Sequence, residues 1–168
     1  MGAKAHRATR NLPMIIHIDT REVNPLHFTP DGLLVDVRRT KLDVGDYCAE
    51  YVDGSRCPIY FERKSLGDCW GTMTKGHARF KRELDRAKTS GVKLILAIEG
   101  TDQDVLDGFS HSIVSGDTMM RKLQTMWLKY DLMPMFFASR KSMAWFIQEF
   151  YYSFGRLYKT GCERRVTQ

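Results

Sequence analysis

Gly45-Asp46-Tyr47, followed after a turn by Ile59-Tyr60-Phe61-Glu62-Arg63-Lys64-Ser65-Leu66-Gly67-Asp68, is the most informative segment of the chain. Residues 45–52 and 59–64 are rich in strand formers, and Asp53-Gly54-Ser55 between them is turn chemistry, so an antiparallel hairpin is expected. Side chains alternate across a strand, which puts Glu62 and Lys64 on one face and Phe61 and Arg63 on the other. An acid and an amine then share a surface, and a suitable hairpin register brings Asp46 opposite them. Two carboxylates held close repel, and one takes up a proton unless a divalent cation keeps both ionised. A small number of hard oxygen donors suits Mg²⁺ or Mn²⁺ and leaves room for water and a phosphate oxygen. The plainer reading of the same residues is a surface hairpin with a Glu62–Lys64 ion pair of little energetic value. D…ExK by itself does not decide between the two.

The pattern extends further. Gly45-Asp46, then Glu62-Arg63-Lys64, then three residues and Asp68 reproduce GDXnERKX3D, and Asp19-Thr20-Arg21-Glu22 after the apolar run Met14 to Ile18 fits a DxRE element. In both features the chain resembles the XPF-type structure-specific endonucleases, with order and spacing agreeing over about residues 14 to 100. The resemblance implies a restriction-endonuclease-like core that cuts branched DNA with a divalent metal. By motif position it implies Asp46 and Glu62 as metal ligands with Asp19 near the metal, and Lys64 positioning or activating the attacking water. Arg63, Asp68 and Glu22 would complete the site, and Arg21 would join the DNA contacts. Members of this family usually continue into tandem helix-hairpin-helix modules. None is expected here, which leaves a stand-alone nuclease or a part that takes recognition from a partner.

Outward from the motif, Met14 to Asp19 reads as a short buried strand that delivers Asp19 to one end of a sheet, although Asp19 and Glu22 fit a loop equally well. Asn24 to Gly32, with Pro25, Pro30 and Asp31-Gly32, is a loop, and Leu33 to Val37 is the next strand. Arg38, Arg39 and Lys41 after it are either a phosphate rail or an edge guard. Ser65 with Asp68 is a Ser-x-x-Asp capping pattern, so Asp68 has two readings, helix cap and catalytic support. Thr74 is expected to open a helix that runs to about Ser90, with Phe80, Leu84 and Ala87 inward and Gly91 as its stop. Lys75, His77, Arg79 and Arg82 on it are candidate DNA contacts, while Arg79–Glu83 and Lys81–Asp85 at i,i+4 also allow a solvated face.

Lys93 to Glu99 is a buried strand ending in acid, and Thr101 to Gly116 is expected to be a loop. A helix comes next from about Asp117 with Met119, Leu123, Met126, Trp127 and Tyr130 as its stripe, and then a last strand, Met133 to Ala138. Lys141 to Tyr158 reads as a helix with Met143, Phe146, Ile147, Phe150, Phe154 and Leu157 inward. Trp145, Tyr151, Tyr152 and Tyr158 widen its apolar surface, which suits a homodimer or thick packing within one subunit.

This alternation of strands and helices around a hairpin predicts an α/β domain of three layers with a central mixed sheet. The 168 residues, 43% of them apolar, suffice for one well-cored domain over residues 14–160, between basic tails at 1–13 and 161–168, the first expected to be flexible. Lys and Arg total 26 against 20 Asp and Glu, a net charge of +6 that favours a polyanionic partner. Cys48, Cys57, Cys69 and Cys162 have no zinc-site spacing and read as reduced thiols. With no signal peptide and no apolar run long enough to span a membrane, the expectation is a soluble intracellular protein of the cytoplasm or nucleoid, or of a eukaryotic nucleus. The sequence thus predicts a Mg²⁺- or Mn²⁺-dependent endonuclease for branched DNA (3′-flap, fork or junction) in repair or recombination. A four-way-junction resolvase, a less selective nuclease of the same fold and a non-catalytic DNA-binding scaffold are the alternatives.

Overall fold

Runs of β-branched and aromatic residues, broken by Pro, Gly and Asp turns, form six strands: β1 (Met14–Asp19), β2 (Leu34–Thr40), β3 (Tyr47–Tyr51), β4 (Ile59–Ser65), β5 (Lys93–Glu99) and β6 (Met133–Phe137). In the computed structural model, which describes residues 12–110 and 112–159, they make one sheet in the order β2-β1-β3-β4-β5-β6. β3 runs antiparallel to both β1 and β4, and all other neighbours are parallel. The start of β3 therefore lies at the same sheet end as the finishes of β1, β4 and β5. One reversed strand is enough to gather Asp19, Asp46, Glu62, Lys64 and Glu99 at that end.

The helices are α1 (Leu66–Met73), α2 (His77–Thr89), α3 (Asp102–Asp107), α4 (Gly116–Tyr130) and α5 (Arg140–Phe154), the last continuing into a π-helical turn, Gly155–Lys159. They lie on both faces of the sheet and give the expected three layers. On one face α5 packs Met143, Ile147 and Tyr151 against Ile16, Tyr47 and Phe61. On the other, α1, α2 and α4 pack Trp70, Met73, Phe80 and Leu123 against Leu94, Leu96 and Ile98. Two buried hydroxyls fasten α5 to β3: Tyr51 donates to the Tyr151 carbonyl at 2.8 Å, and Tyr151 to the Tyr47 carbonyl at 3.0 Å.

Several local expectations change. β2 extends to Thr40 and takes in Arg38 and Arg39, because as an edge strand it can carry charge along its open side. Arg38 pairs with Asp36 at 2.8 Å, and Arg39 donates to the carbonyls of Thr20 at 3.0 Å and Glu22 at 2.8 Å, so this cluster guards and braces the edge. Thr74 closes α1 instead of opening the next helix, since its hydroxyl donates to the Trp70 carbonyl at 2.6 Å; α2 begins only at His77. The segment expected to be a loop from Thr101 to Gly116 contains α3, held by a capping box in which Thr101 and Asp104 satisfy each other's main chain. On α5, Tyr151 and Tyr152 are core, whereas Leu157 is exposed because winding widens to π at Gly155 and rotates the final turn off the 3.6-residue stripe. Cys48, Cys57 and Cys69 are buried free thiols. Among the described residues no helix is long and apolar enough to cross a membrane. Most of the N-terminal tail, including Lys4, His6, Arg7 and Arg10, and the C-terminal tail with Cys162 lie outside the described residues.

Candidate active site

Gly45 sets up the site. Its φ of +68° is a left-handed conformation, and a Cβ there would stand 3.1 Å from Leu94 Cδ2, 3.2 Å from Tyr60 Cβ and 3.3 Å from the Phe61 carbonyl, so only glycine makes this turn without strain. The turn delivers Asp46 between two strand ends. Its N–H donates to the Phe61 carbonyl at 2.8 Å, and its carbonyl accepts from the Asp19 N–H at 2.8 Å. Its side-chain Oδ2 accepts from the Arg63 N–H at 2.7 Å. On β4 the strand alternation holds: Lys64 Nζ donates to Glu62 Oε1 at 2.6 Å on one face, with the ammonium 5.2 Å from the Phe80 ring centroid.

These groups line a cleft of about 460 Å³, with Asp19, Arg21, Gly45, Asp46, Glu62 and Lys64 on the sheet side. Thr72 of α1, Gly76 before α2, and Arg79, Phe80, Glu83 and Arg86 of α2 form the opposite wall. Burial, then the charge of Glu62, push the Asp46 carboxyl up to about 8. Burial also raises Glu62, against the opposing pull of Lys64. For Lys64 burial acts downward, but the charge and hydrogen bond of Glu62, with Asp46 and Glu83, outweigh it and hold the ammonium above its ordinary range. Without a cation, both carboxylates therefore resist ionisation beside a charged Lys64.

Arg63 points the other way. Its Nε and Nη2 grip both oxygens of buried Glu22, each at 3.0 Å, and Nη1 donates to Glu99 Oε1 at 2.7 Å. That oxygen also accepts from Nη1 of Arg140, whose Nη2 donates to the carbonyls of Asn24 at 2.7 Å and Pro25 at 2.9 Å. Asp19 is occupied in a different way: its carboxylate accepts from Arg21 Nε at 2.7 Å, Arg21 Nη2 at 3.1 Å and the N–H groups of Arg21 at 2.8 Å and Leu42 at 2.6 Å. Burial acts upward on Asp19, and these bonds overcome it, leaving the carboxyl below its usual range.

Of the residues singled out in the sequence, the structure brings Asp46, Glu62, Lys64, Asp19, Arg21 and Arg79 together around the cleft. Glu22 and Arg63 meet on the opposite face, with Glu22 still close enough to help raise Asp46. Asp68 does not join them. It is exposed on the first turn of α1, its N–H donating to Ser65 Oγ at 3.1 Å and its Oδ2 accepting from the Ser65 hydroxyl at 2.6 Å, which is the capping arrangement. Lys75 and Arg82 are exposed outside the cleft lining, and His77 lies near Lys81, Lys122 and Lys129; burial first, then these cations, lower its pKa. The sequence reading missed Glu83 and Arg86 as cleft residues. Glu83 Oε1 accepts from the Gly45 N–H at 3.3 Å, where an i,i+4 partnership with Arg79 was expected. The available signal was a second helical stripe, Gly76, Arg79, Glu83 and Arg86, beside the apolar one.

The donor chemistry fits a hard divalent cation at Asp46 and Glu62, because two carboxylates that both resist ionisation in this cleft are relieved when a cation balances their charge. Asp19 fits less well, since turning toward a cation would cost it the Arg21 and Leu42 bonds. Among the described residues no group of three or more His, Cys, Asp or Glu is arranged to hold a metal ion.

Among curated proteins none matches the sequence. Solved structures that share the fold include XPF from Aeropyrum pernix, 18% identical with a TM-score of 0.58 over 90% of this chain and 69% of that one, and XPF from Aeropyrum pernix in complex with DNA. The second is 19% identical with a TM-score of 0.59 over 80% of this chain, which spans 62% of its length. The ERCC4 domain matches residues 18–150, from the end of β1 to the third turn of α5, and so includes every residue of the cleft. The chain belongs to the ERCC4 domain family, a family of structure-specific DNA nucleases.

Proposed function

We propose that this protein is a divalent-metal-dependent endonuclease that hydrolyses phosphodiester bonds in branched DNA, at flaps, forks or junctions. The observation that carries this reading is the placement of Asp46, half-buried, and Glu62, buried, with the Lys64 ammonium in a cleft rimmed by Arg21, Arg79 and Arg86. Asp46 and Glu62 would hold Mg²⁺ or Mn²⁺. When bound, such a cation lowers the pKa of a water molecule and offsets the charge that builds on the phosphate. Lys64, fixed by Glu62, orients the attacking water and neutralises developing charge. The arginines on the rim take phosphates, which positions the backbone without reading sequence. Attack in line forms a bond from water oxygen to phosphorus and breaks the bond to the 3′ oxygen, which leaves with a proton. The ends are then a 5′-phosphate and a 3′-hydroxyl.

DNA as a partner is also supported by the DNA complex of the Aeropyrum pernix XPF. A homodimer through α5 is supported by Trp145, 65% exposed on a helix whose other aromatic residues are largely buried. The test is cleavage of labelled 3′-flap, fork, four-way-junction and linear duplex substrates by the purified protein with Mg²⁺ or Mn²⁺, beside Asp46→Ala and Glu62→Ala. Cutting near the branch should require metal and fall by about 10²- to 10⁴-fold in either variant, the loss of several kcal/mol of transition-state stabilisation. Binding to all substrates with no nicking of any would make the protein a scaffold subunit instead. Equal cutting of linear duplex would make it a less selective nuclease, and preference for the four-way substrate a resolvase.

A further inference from the structure

Arg140 stands where helix energetics do not want it. It opens α5 beside Lys141, with no acidic residue in the first turn, so two cations face the positive end of the helix dipole. Ser139 already caps the helix by accepting from the Ser142 N–H at 3.0 Å, so Arg140 is not needed as a cap. Its side chain reaches away from α5 to Glu99 at the end of β5 and to the carbonyls of Asn24 and Pro25.

These bonds complete a row of alternating charge, Arg140, Glu99, Arg63 and Glu22, that runs from α5 to the back of the cleft. Arg63 is 10% exposed and Glu22 7%, so the inner half of the row is shielded from solvent and holds its geometry. The segment that carries Glu22 is gripped from both sides. Arg39 on β2 binds the carbonyls of Thr20 and Glu22, Arg140 binds those of Asn24 and Pro25, and Glu22 Oε1 itself accepts from the Asn24 N–H at 2.8 Å. The main chain of Arg63 meanwhile donates to Asp46 Oδ2. A shift in the Arg63 side chain is therefore felt at a carboxylate of the cleft.

We infer that Arg140 is a positioning residue for the proposed nuclease site, acting through Glu99 and the 24–25 carbonyls to fix Arg63 and Glu22 behind Asp46; this rests on the nuclease reading. α5 then has a second task besides covering the sheet, since its first residue braces the catalytic end. A guanidinium suits the task because its planar fork serves Glu99 and two carbonyls together, which an ammonium does not do.

Two readouts test this on the full chain, and the first needs no turnover. In side-chain ¹⁵N spectra the Arg63 Nε–H, bonded to Glu22, should exchange slowly in the wild type, and Arg140→Ala should speed that exchange about tenfold or more while the protein stays folded. Unchanged Arg63 exchange would overturn the inference. In the second readout, Arg140→Ala should lower kcat on a flap substrate about tenfold with KM held within about twofold, and that loss should vanish in an Arg63→Ala background. An equal loss in that background, or a lowered melting temperature with kcat unchanged, would also overturn it. Arg140→Lys keeps the stem and charge if the alanine variant does not fold, and it should move both readouts the same way by about threefold. Should the wild type cut no DNA, the nuclease reading fails on its own, and Arg63 exchange still decides whether Arg140 positions this row.

Discussion

Asp46 is the residue at which stability and the proposed activity pull apart. Its carboxyl, raised from 3.8 to about 8 by burial and by Glu62, binds a proton in the folded state that the unfolded chain releases above about pH 4. Between those values the folded state holds more protons than the unfolded one, so without divalent cation its stability should fall as pH rises from about 4 to 8. Denaturant titrations in chelator at several pH values would show this slope. Asp46→Asn can still accept from the Arg63 N–H, so it should flatten the slope and raise Tm at pH 8, by about 2–4 °C for each kcal/mol recovered, while abolishing cleavage. The opposite placement of Glu62 and Arg63 was legible in the sequence, because alternation on a strand is local geometry. The partners of Arg63 were not, since Glu22 lies 41 residues away and Glu99 36, and only the assembled sheet brings them together.

Among the elements, the Gly45 turn and the two helices after the motif carry the clearest consequences. Gly45→Ala forces a side chain into a left-handed turn with three close neighbours, so it should cost about 1–3 kcal/mol and displace Asp46, lowering both Tm and cleavage. Ser65→Ala removes the cap of α1 and should cost about 1 kcal/mol. Asp68→Asn, on an exposed first turn outside the cleft, should keep the cleavage rate within about threefold if Asp68 serves the cap. Along α2, alanine at Arg79 or Arg86 should weaken binding to every DNA and lower the slope of log K against log salt by about 1 each, read from fluorescence anisotropy at several salt concentrations. β1, β4, β5 and β6 were legible to within a residue because buried apolar runs have sharp ends, whereas β2 ran three residues further into its charged edge than its apolar run showed. Thr74 was not, since one hydroxyl suits either end of a helix. At six residues α3 was too short to show periodicity, although Thr101-x-x-Asp104 marked its start.

At the scale of the whole molecule the three layers arise from element order alone, and the single reversed strand supplies what order does not, a shared end for the acidic residues. α5 covers its sheet face together with Leu26 and Phe28 and leaves Trp145 outward. If that face meets a second copy, sedimentation should give twice the mass of one chain, and Trp145→Asp should halve it without loss of helix content by circular dichroism. The aromatic excess of α5 was visible in the sequence, but its division between core and surface needed the two tyrosine hydroxyl bonds that fix the helix rotation. The pinning of Asp46 to Asp19 and Phe61 has one more consequence. The tip at Asp53-Gly54 is exposed at the far end of β3 and β4, so a change confined to the tip lies at the opposite end of the sheet from the chemistry. A peptide tag or a fluorophore-bearing loop spliced in there should leave the reaction as it was, which makes this tip a handle for watching single molecules at work.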